Sequence, residues 1–583
     1  MVLFTGCIDN NYDLSDIDTT SEFKVNDLVI PLNLEPVVLS DIIKVEEGDQ
    51  LKEFTVNGQT FYAVEQSGEF NSDAIDVAGF NAEPDPMYDK TATFTPTRGG
   101  ASKIARRHAE GTGLEIFYLL EPVEEALEYE AYGIDGSVKA LTSIAFDDLA
   151  VTIDLSTTSL GGNLTTTLQD VSLLIPAGLE VTKVVAGGMD YDSSSYDIET
   201  GVLTLGSVAL VDNKTSIVVT ASGINLAHYD DPFKYDPASD SGSFILISQF
   251  SIEDCKLKIE GPAEDIAGIQ EISYNVHYEL GELRARSIMG DIQYDLEGTG
   301  LNIDPIDLTD LPDFLDDPET NLSIANPQIY LNLFNPVGSF GLGYQSGLEI
   351  MAVRPSGSSG FESPMIKVPA EAGTFNFMLA PNPEGVTNVP EEYKSGLQRL
   401  VYNNLGEILA GNGLPKQLDI DLVKPEIPQQ TLKSPFTLGT DLEGMRGEYM
   451  FLAPLALKDG SKIVKVVDGW WSEDLSDLNI DLLSINADAT NGLATGVILN
   501  AFAIDRDGNQ ISTTGSLKLD ENAVNSPIEL KLEGIDGKPF NNLDGIKLYV
   551  IAANNTDEPL APSQSITLEN LKAKVTGNYT RKL

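Results

Sequence analysis

Apolar and polar residues alternate along several short segments of this chain. Such alternation runs through residues 328–333, 417–422, 528–532 and 571–576. A period of two places alternate side chains on opposite faces of an extended strand, so these segments are predicted to be half-buried β-strands. Turn dipeptides separate many strand-like runs, and this arrangement favours β-sandwiches.

Two β-hairpins are predicted from the local sequence. Asn57-Gly58 lies between the strand-like runs 54–56 and 60–64, and Asn-Gly is the preferred pair for a two-residue turn. The segment 505–509 lies between the runs 501–504 and 511–513. It also resembles part of a calcium-binding loop, but its glycine comes two positions too early for that motif, so a hairpin turn is favoured.

One amphipathic helix is predicted near residues 390–410. Pro390 suits a first turn, Asn388 is a candidate cap, and Glu391 and Glu392 face the positive end of the helix dipole. Gly411 is expected to end the helix. The apolar residues at helical spacing are Tyr393, Leu397, Leu400, Val401, Leu405, Ile408 and Leu409.

The expected fold class is all-β and multidomain, with tandem immunoglobulin-like β-sandwiches and this single helix. A length of 583 residues suggests several domains. Five parts are predicted: an anchor and acidic tether at 1–20, a small β domain at 21–110, a β-sandwich at 111–285, a β-sandwich with the helix at 286–455, and a C-terminal β-sandwich at 456–583.

The charge of the chain excludes some partners. Ninety acidic and 36 basic residues give a net charge of −54, which repels nucleic-acid phosphates and anionic lipid headgroups. We therefore expect no nucleic-acid partner. No apolar run is long enough for a membrane-spanning helix. Of the two cysteines, Cys255 is expected to be a buried, inert thiol.

The N-terminal run Leu3-Phe4-Thr5-Gly6-Cys7 resembles the cleavage box of bacterial lipoproteins. The resemblance implies that Cys7 becomes the lipid-modified first residue of the mature protein. The acidic residues that follow resemble the surface-export tethers of Bacteroidetes lipoproteins. Asp18-Thr19-Thr20 resembles the O-glycosylation acceptor of that phylum, which makes Thr19 the candidate site. Together these resemblances imply a lipid-anchored protein at the cell-surface side of the outer membrane.

A second resemblance covers residues 326–336. This stretch places a strand between Asn326-Pro327 and Asn335-Pro336, and it is similar to the first strand of late-embryogenesis-abundant, water-stress-type sandwich domains. The resemblance implies a small β-sandwich without a catalytic role.

No catalytic motif is evident, so no enzyme activity is expected. His108, His228 and His277 lack the spacing of a zinc motif, and no Gly-x-Ser-x-Gly elbow is present. A glycoside hydrolase needs two carboxylates that face one cleft. Ninety acidic residues make such pairs uninformative, so this activity is kept only as a third alternative.

Two clusters are candidate ligand sites. Trp470 and Trp471 are the only tryptophans, and exposed indoles can form platforms for sugar rings or partner side chains. Four aspartates crowd a proline-bearing loop whose oxygens could bind calcium, although a solvated loop is the simpler interpretation. No other cofactor is expected. The aspartates are Asp304, Asp307, Asp310 and Asp313.

These observations predict a non-catalytic cell-surface lipoprotein that displays β-sandwiches for adhesion or serves as an accessory subunit of an outer-membrane complex. Its expected partners are the outer membrane, through the lipid, and either a protein or a polysaccharide. The first alternative is a glycan-binding lipoprotein of a polysaccharide-uptake system, with Trp470 or Trp471 as the platform.

Overall fold

The computed structural model describes most of the chain. The residues described are 20–31, 37–43, 45, 51–84, 88–94, 103–107, 113–120, 122–161, 163–253, 255–297, 303–309, 323–354, 357–409, 415–457, 459–468, 475, 478–554, 556 and 558–582. Strands account for 64% of the structure. The prediction of an all-β, multidomain protein is confirmed.

Helices are short in the described part of the chain. The α-helices are α1 (Leu39–Ile42), α2 (Ala263–Ala267) and α3 (Leu405–Leu409). The 3-10 turns are Ser193–Ser195, Leu226–His228, Gly338–Phe340, Pro383–Gly385, Glu391–Tyr393 and Ile535–Gly537. None of these helices is long and apolar enough to cross a membrane.

The described strands form the rest of the architecture. In chain order they are β1 (Thr20–Pro31), β2 (Val37–Val38), β3 (Leu51–Val56), β4 (Gln59–Asn71), β5 (Asn81–Pro84), β6 (Tyr88–Phe94), β7 (Lys103–Arg107), β8 (Gly113–Leu119), β9 (Val123–Asp135), β10 (Val138–Thr157), β11 (Thr165–Leu174), β12 (Leu179–Ala186), β13 (Met189–Tyr191), β14 (Tyr196–Asp197), β15 (Val202–Leu210), β16 (Lys214–Asn225), β17 (Phe233–Asp236), β18 (Ser241–Glu253), β19 (Lys256–Pro262), β20 (Ile272–Leu280), β21 (Leu283–Asp295), β22 (Ile306–Asp307), β23 (Ser323–Ile324), β24 (Gln328–Asn335), β25 (Tyr344–Val353), β26 (Ser359–Glu362), β27 (Ile366–Val368), β28 (Gly373–Ala380), β29 (Gln398–Val401), β30 (Gln417–Thr431), β31 (Phe436–Thr437), β32 (Arg446–Ala456), β33 (Lys462–Asp468), β34 (Leu478–Asn491), β35 (Val497–Ile504), β36 (Thr513–Leu519), β37 (Ser526–Gly534), β38 (Gly545–Ala552) and β39 (Ser565–Lys582).

One strand topology occurs three times along the chain. In each unit the first strand pairs with the fourth and sixth, and the second strand pairs with the third and fifth. The first unit consists of β11, β12, β13, β15, β16 and β19. The central unit consists of β24, β25, β26 with β27, β28, β30 and β32. The last unit consists of β34, β35, β36, β37, β38 and β39.

A strand from the N-terminal part of the chain lies beside the sixth strand of every unit. β1 pairs with β39 in the last unit, β4 with β32 in the central unit, and β8 with β19 in the first unit, all antiparallel. The N-terminal strands β1, β4 and β8 therefore join the last, central and first units, in that order. The rest of the chain then forms the first, central and last units in turn. A sixth strand left without this neighbour would expose its backbone groups along a sheet edge.

The central unit contacts both other units. β21 pairs with β10, which lies beside the first unit, and also with β30 of the central unit. On the other side, the Tyr62 amide donates to the Leu560 carbonyl at 2.8 Å, and the Leu560 amide donates to the Leu455 carbonyl at 2.7 Å. Buried apolar side chains from all three units form one continuous core. The relationship to immunoglobulin domains stays a prediction.

Both predicted hairpins are present. β3 and β4 pair around Asn57-Gly58, whose φ angles are 53° and 82°, as a type I′ turn requires. β35 and β36 are joined through the segment 505–509. There the Asp505 carboxylate accepts hydrogen bonds from the backbone amides of Asp507 and Asn509.

The amphipathic helix predicted near residues 390–410 is wrong. The segment instead forms the 3-10 turn Glu391–Tyr393, strand β29 and the single turn α3. Gly396 adopts a φ of 62°, which an α-helix cannot contain. β29 instead pairs in parallel with β28. Of the apolar residues at helical spacing, Tyr393 and Leu405 are buried, whereas Val401 is exposed, so they do not form one buried stripe.

A candidate binding groove on the central sheet

One end of the outer face of the central sheet is covered by another segment of the chain. Strands β28, β24, β32 and β4 lie side by side, and the segment 381–397 crosses one end of them. The Tyr393 ring packs on Tyr330, with ring centroids 5.1 Å apart. Burial, together with the charges of Glu392, Glu448 and Glu65, raises the pKa of Tyr393 to about 12. This cover buries a small apolar cluster at that end.

At the other end of this face, two rows of side chains lie beside a groove. Each row crosses all four strands, because residues paired across neighbouring strands share a face. The first row is Asn376, Asn332, Glu448 and Glu69, and the second is Thr374, Phe334, Arg446 and Asn71. All of these residues except Asn376 line a groove of about 570 Å³, which is within the size range of ligand sites.

Asn332 is held in one orientation by its neighbours. Its Nδ2 donates to Asn376 Oδ1 at 2.9 Å, and Asn376 Nδ2 donates to the Ser395 carbonyl at 2.9 Å. Asn376 is only 7% exposed, so it acts as a fixed support beneath Asn332. The Asn332 Oδ1 acceptor and its second N–H remain available to the groove.

Arg446 is also held in place. Its guanidinium lies over the Phe334 ring at 4.4 Å from the centroid, and its Nη1 lies 3.0 Å from a carboxylate oxygen of Glu443. An arginine has five N–H donors, so most of them stay free. The planar group is therefore pre-positioned to donate hydrogen bonds into the groove.

Two carboxylates lie directly opposite each other in the groove. Glu69 and Glu448 are cross-strand partners and both are exposed. Like charges at opposed positions destabilise a sheet. Residue pairs that lower stability in this way are expected on surfaces that serve a function. In the described part of the chain, this groove is therefore our leading candidate site.

Asp304 and Asp307, the described residues of the predicted calcium loop, lie on the other side of the sheet from the groove. The Tyr449 hydroxyl donates to the Asp304 carbonyl at 3.2 Å, and the Asp307 amide donates to Gln66 Oε1 at 3.1 Å. The Asp307 carboxylate accepts hydrogen bonds from Thr309, and these lower its pKa. Asp310 and Asp313 lie outside the described residues. Among the residues that are described, no group of three or more acidic, histidine or cysteine side chains could hold a metal ion.

The other predicted site residues are not described by the structure. They are Cys7, Thr19, Trp470 and Trp471, so the lipid, glycosylation and tryptophan-platform predictions stay predictions. Cys255, in contrast, is buried, and no disulfide joins it to another residue that the structure describes. The expected burial of this cysteine is confirmed, and burial together with the charge of Asp170 raises the pKa of its thiol to about 12, which favours an unreactive thiol.

Sequence reasoning did not find the groove. Its residues come from segments 69–71, 332–334, 374–376 and 446–448, and only pairing between distant strands brings them together. The one local signal was the alternation around Asn332. It places Asn332 on one face of the strand and the buried Leu331 and Leu333 on the other face.

Comparisons with known proteins add little to this description. No protein-family model matches the chain, and no curated protein matches it. Its structure is similar to that of a protein from Parabacteroides distasonis ATCC 8503 described as a candidate secreted protein. That likeness has a TM-score of 0.34 and 13% identity, and it covers 50% of this chain and 88% of the other.

A second likeness is to the T=1 particle of Penaeus vannamei nodavirus. Its TM-score is 0.11 at 13% identity, with 44% of this chain and 83% of that chain covered. At TM-scores this low, neither likeness establishes a shared fold, and no inference below depends on them.

Proposed function

We propose that this chain is a non-catalytic surface lipoprotein that carries three β-sandwich units outward from the outer membrane. The main observation behind the proposal is the order in which the N-terminal strands join the three units. β1, the first described strand, belongs to the last unit, and β4 and β8 belong to the central and first units.

This order fixes an orientation if Cys7 holds the lipid. Twelve residues separate Cys7 from Thr20, where β1 begins, and a chain of that length reaches roughly 40–45 Å when fully extended. The last unit is thus kept near the membrane. The first unit, reached only through the central unit, is the farthest from it and the most available to partners.

The absence of a recognisable catalytic motif in the sequence supports a display or binding role. The acidic surface favours solubility and opposes adsorption to anionic headgroups, which suits a protein that extends away from its anchor. Adhesion and service as an accessory subunit are both consistent with this architecture, and glycan binding remains the alternative.

Energy transfer from single dye labels to an acceptor lipid tests the proposal. Lipidated protein is placed in vesicles with a dye at Asp212→Cys, a turn of the first unit, or at Asp507→Cys, a turn of the last unit; both positions are exposed. Buried Cys255 does not compete for the label. We expect stronger transfer from position 507 and no vesicle binding by Cys7→Ala. Equal transfer from both positions, or vesicle binding without Cys7, would contradict the proposal.

A further inference from the structure

We propose that the open groove of the central sheet binds a neutral polysaccharide chain that lies across β28, β24, β32 and β4. This proposal does not depend on the lipid anchor or on the orientation of the units. It follows from the geometry, hydrogen-bonding groups and charge of the two rows of side chains.

The spacing of the rows matches a chain of sugar rings. Neighbouring strands lie about 4.8 Å apart, so four strands span about 14 Å. A pyranose ring in an extended polysaccharide advances the chain by a distance similar to one strand spacing. Each row of side chains therefore meets about three successive rings, and the groove recognises an internal stretch of the polymer.

The groups in the groove suit sugar hydroxyls. Asn332, Thr374 and Asn71 offer amide or hydroxyl donors and acceptors, and Arg446 offers several donors. The Phe334 ring lies beneath the Arg446 guanidinium, so its role is to position this donor group. Because Asn376 and Glu443 hold Asn332 and Arg446 in place, little side-chain freedom is lost on binding.

The charge of the groove selects against acidic sugars. Glu69 and Glu448 face the same surface as the single cation Arg446, which is already paired with Glu443. Carboxylate or sulfate groups on a polysaccharide would be repelled at short range by this pair. Neutral hydroxyls, in contrast, can donate hydrogen bonds to both carboxylates.

The same two carboxylates do not suit hydrolysis. A general acid for glycoside cleavage needs an environment that keeps its proton, usually an apolar pocket. Glu69 and Glu448 are both exposed on the sheet. The groove is therefore assigned to binding, and cleavage of a polysaccharide is an outcome that the experiment must detect.

Affinity electrophoresis of the full chain tests the proposal. Native gels contain starch, galactomannan or xyloglucan as neutral polymers, or polygalacturonate as an acidic one. We expect at least one neutral polymer, and not polygalacturonate, to retard the protein. Asn332→Ala and Arg446→Ala should each weaken retention about ten-fold, as expected for loss of one or two hydrogen bonds to a ligand.

Lys572→Ala is the matched control. Lys572 is an exposed cation on β39, the strand of the last unit that corresponds to β32, and its loss should leave retention unchanged. A thermal melt of each variant verifies folding. If a variant does not fold, Thr374→Lys, an exposed position in the second row, blocks the same surface and should also abolish retention.

Two further measurements test the number of sugar rings that the groove binds and the role of its two carboxylates. Affinity for oligosaccharides of the retained polymer should rise up to about three rings and then level off. Glu69→Gln with Glu448→Gln should allow polygalacturonate to bind. The proposal is overturned if no neutral polymer is retained, if the groove variants bind like wild type, or if the pure chain hydrolyses a retained polymer.

Discussion

Replacing Asn335 by Ala should remove the buried hydrogen bonds that connect the end of β24, the first strand of the central unit, to neighbouring segments. Asn335 is 1% exposed. Its Nδ2 donates to the carbonyls of Leu342 at 2.8 Å and Pro369 at 2.9 Å, with a longer bond to Glu371 at 3.3 Å. Its Oδ1 accepts the Val337 amide at 3.1 Å. One side chain thus joins the end of β24 to two other segments.

The expected loss of unfolding free energy follows from these bonds. Each short bond donated by Nδ2 contributes about 1 kcal/mol, and the Val337 amide left unpaired in the core costs about 1 kcal/mol more. Asn335→Ala should therefore destabilise the central unit by about 3 kcal/mol. Asn326, at the other end of this strand, exchanges two hydrogen bonds with Asn382 at a more exposed site. Asn326→Ala should cost about 1–2 kcal/mol, because water replaces part of the lost hydrogen bonding, whereas the φ of 40° at this position strains alanine by about 1 kcal/mol.

The last unit offers a reciprocal variant. Asn491 ends β34, the strand that corresponds to β24, and is 4% exposed. Its Nδ2 donates to the carbonyls of Thr495 at 2.9 Å and Asp520 at 3.2 Å, and its Oδ1 accepts the Leu493 amide at 3.0 Å. Asn491→Ala should cost about 2–3 kcal/mol, and this cost should fall on the last unit.

Hydrogen exchange with mass spectrometry along a urea titration measures both effects, because peptides of each unit report their own midpoint. Asn335→Ala should lower the midpoint of central-unit peptides, and Asn491→Ala that of last-unit peptides. If the units unfold together, the sizes of the shifts still test the reasoning. A loss below 1 kcal/mol for Asn335→Ala, or one no larger than for Asn326→Ala, would refute it.

Three further predictions follow from local features of the structure. Gly338→Ala should destabilise the same part of the central unit by at least 1–3 kcal/mol in a urea titration, because its Cβ would lie 2.1 Å from the Glu371 carbonyl oxygen. Burial raises the pKa values of Tyr229 and Tyr393 to about 12, above the value of about 10 in an unfolded chain. The unfolded state therefore loses these protons first, and urea midpoints should fall as the pH rises from 10 to 12, whereas unchanged midpoints would contradict the assignment. In a Cys7→Ala variant, Cys255 is the only thiol, and a thiol reagent should label it only after denaturation.

Local signals in the sequence were sufficient where a structure depends on neighbouring residues. Asn57-Gly58 specified its hairpin because two positions with positive φ select this dipeptide. The alternation of apolar and polar residues over 328–333 located β24. The structure adds that Asn335 closes the strand through buried hydrogen bonds, a role that Asn491 repeats in the last unit.

Local signals failed where contacts between distant residues decide the structure. The apolar spacing near residues 390–410 fits a helix, but Gly396 turns the backbone and Tyr393 packs on Tyr330 instead. Tertiary packing overrides a weak local preference in this way. The groove was beyond prediction for a related reason, since Glu69 and Glu448 become neighbours only when β4 pairs with β32.

The path of the chain also determines when the molecule can be completed. Thr20 pairs with Lys582, so the last unit gains its outermost strand only after nearly the whole chain is available. The entropy of closing so long a loop grows only with the logarithm of its length, so stability is little affected. Folding rate, however, falls as contacts become more distant in sequence. If β1 adjoins a membrane tether, the anchored end must stay free until β39 arrives, and a chain truncated before β39 leaves β1 unpaired. Synthesis through Lys582 is thus a condition for full pairing of β1 in the last unit.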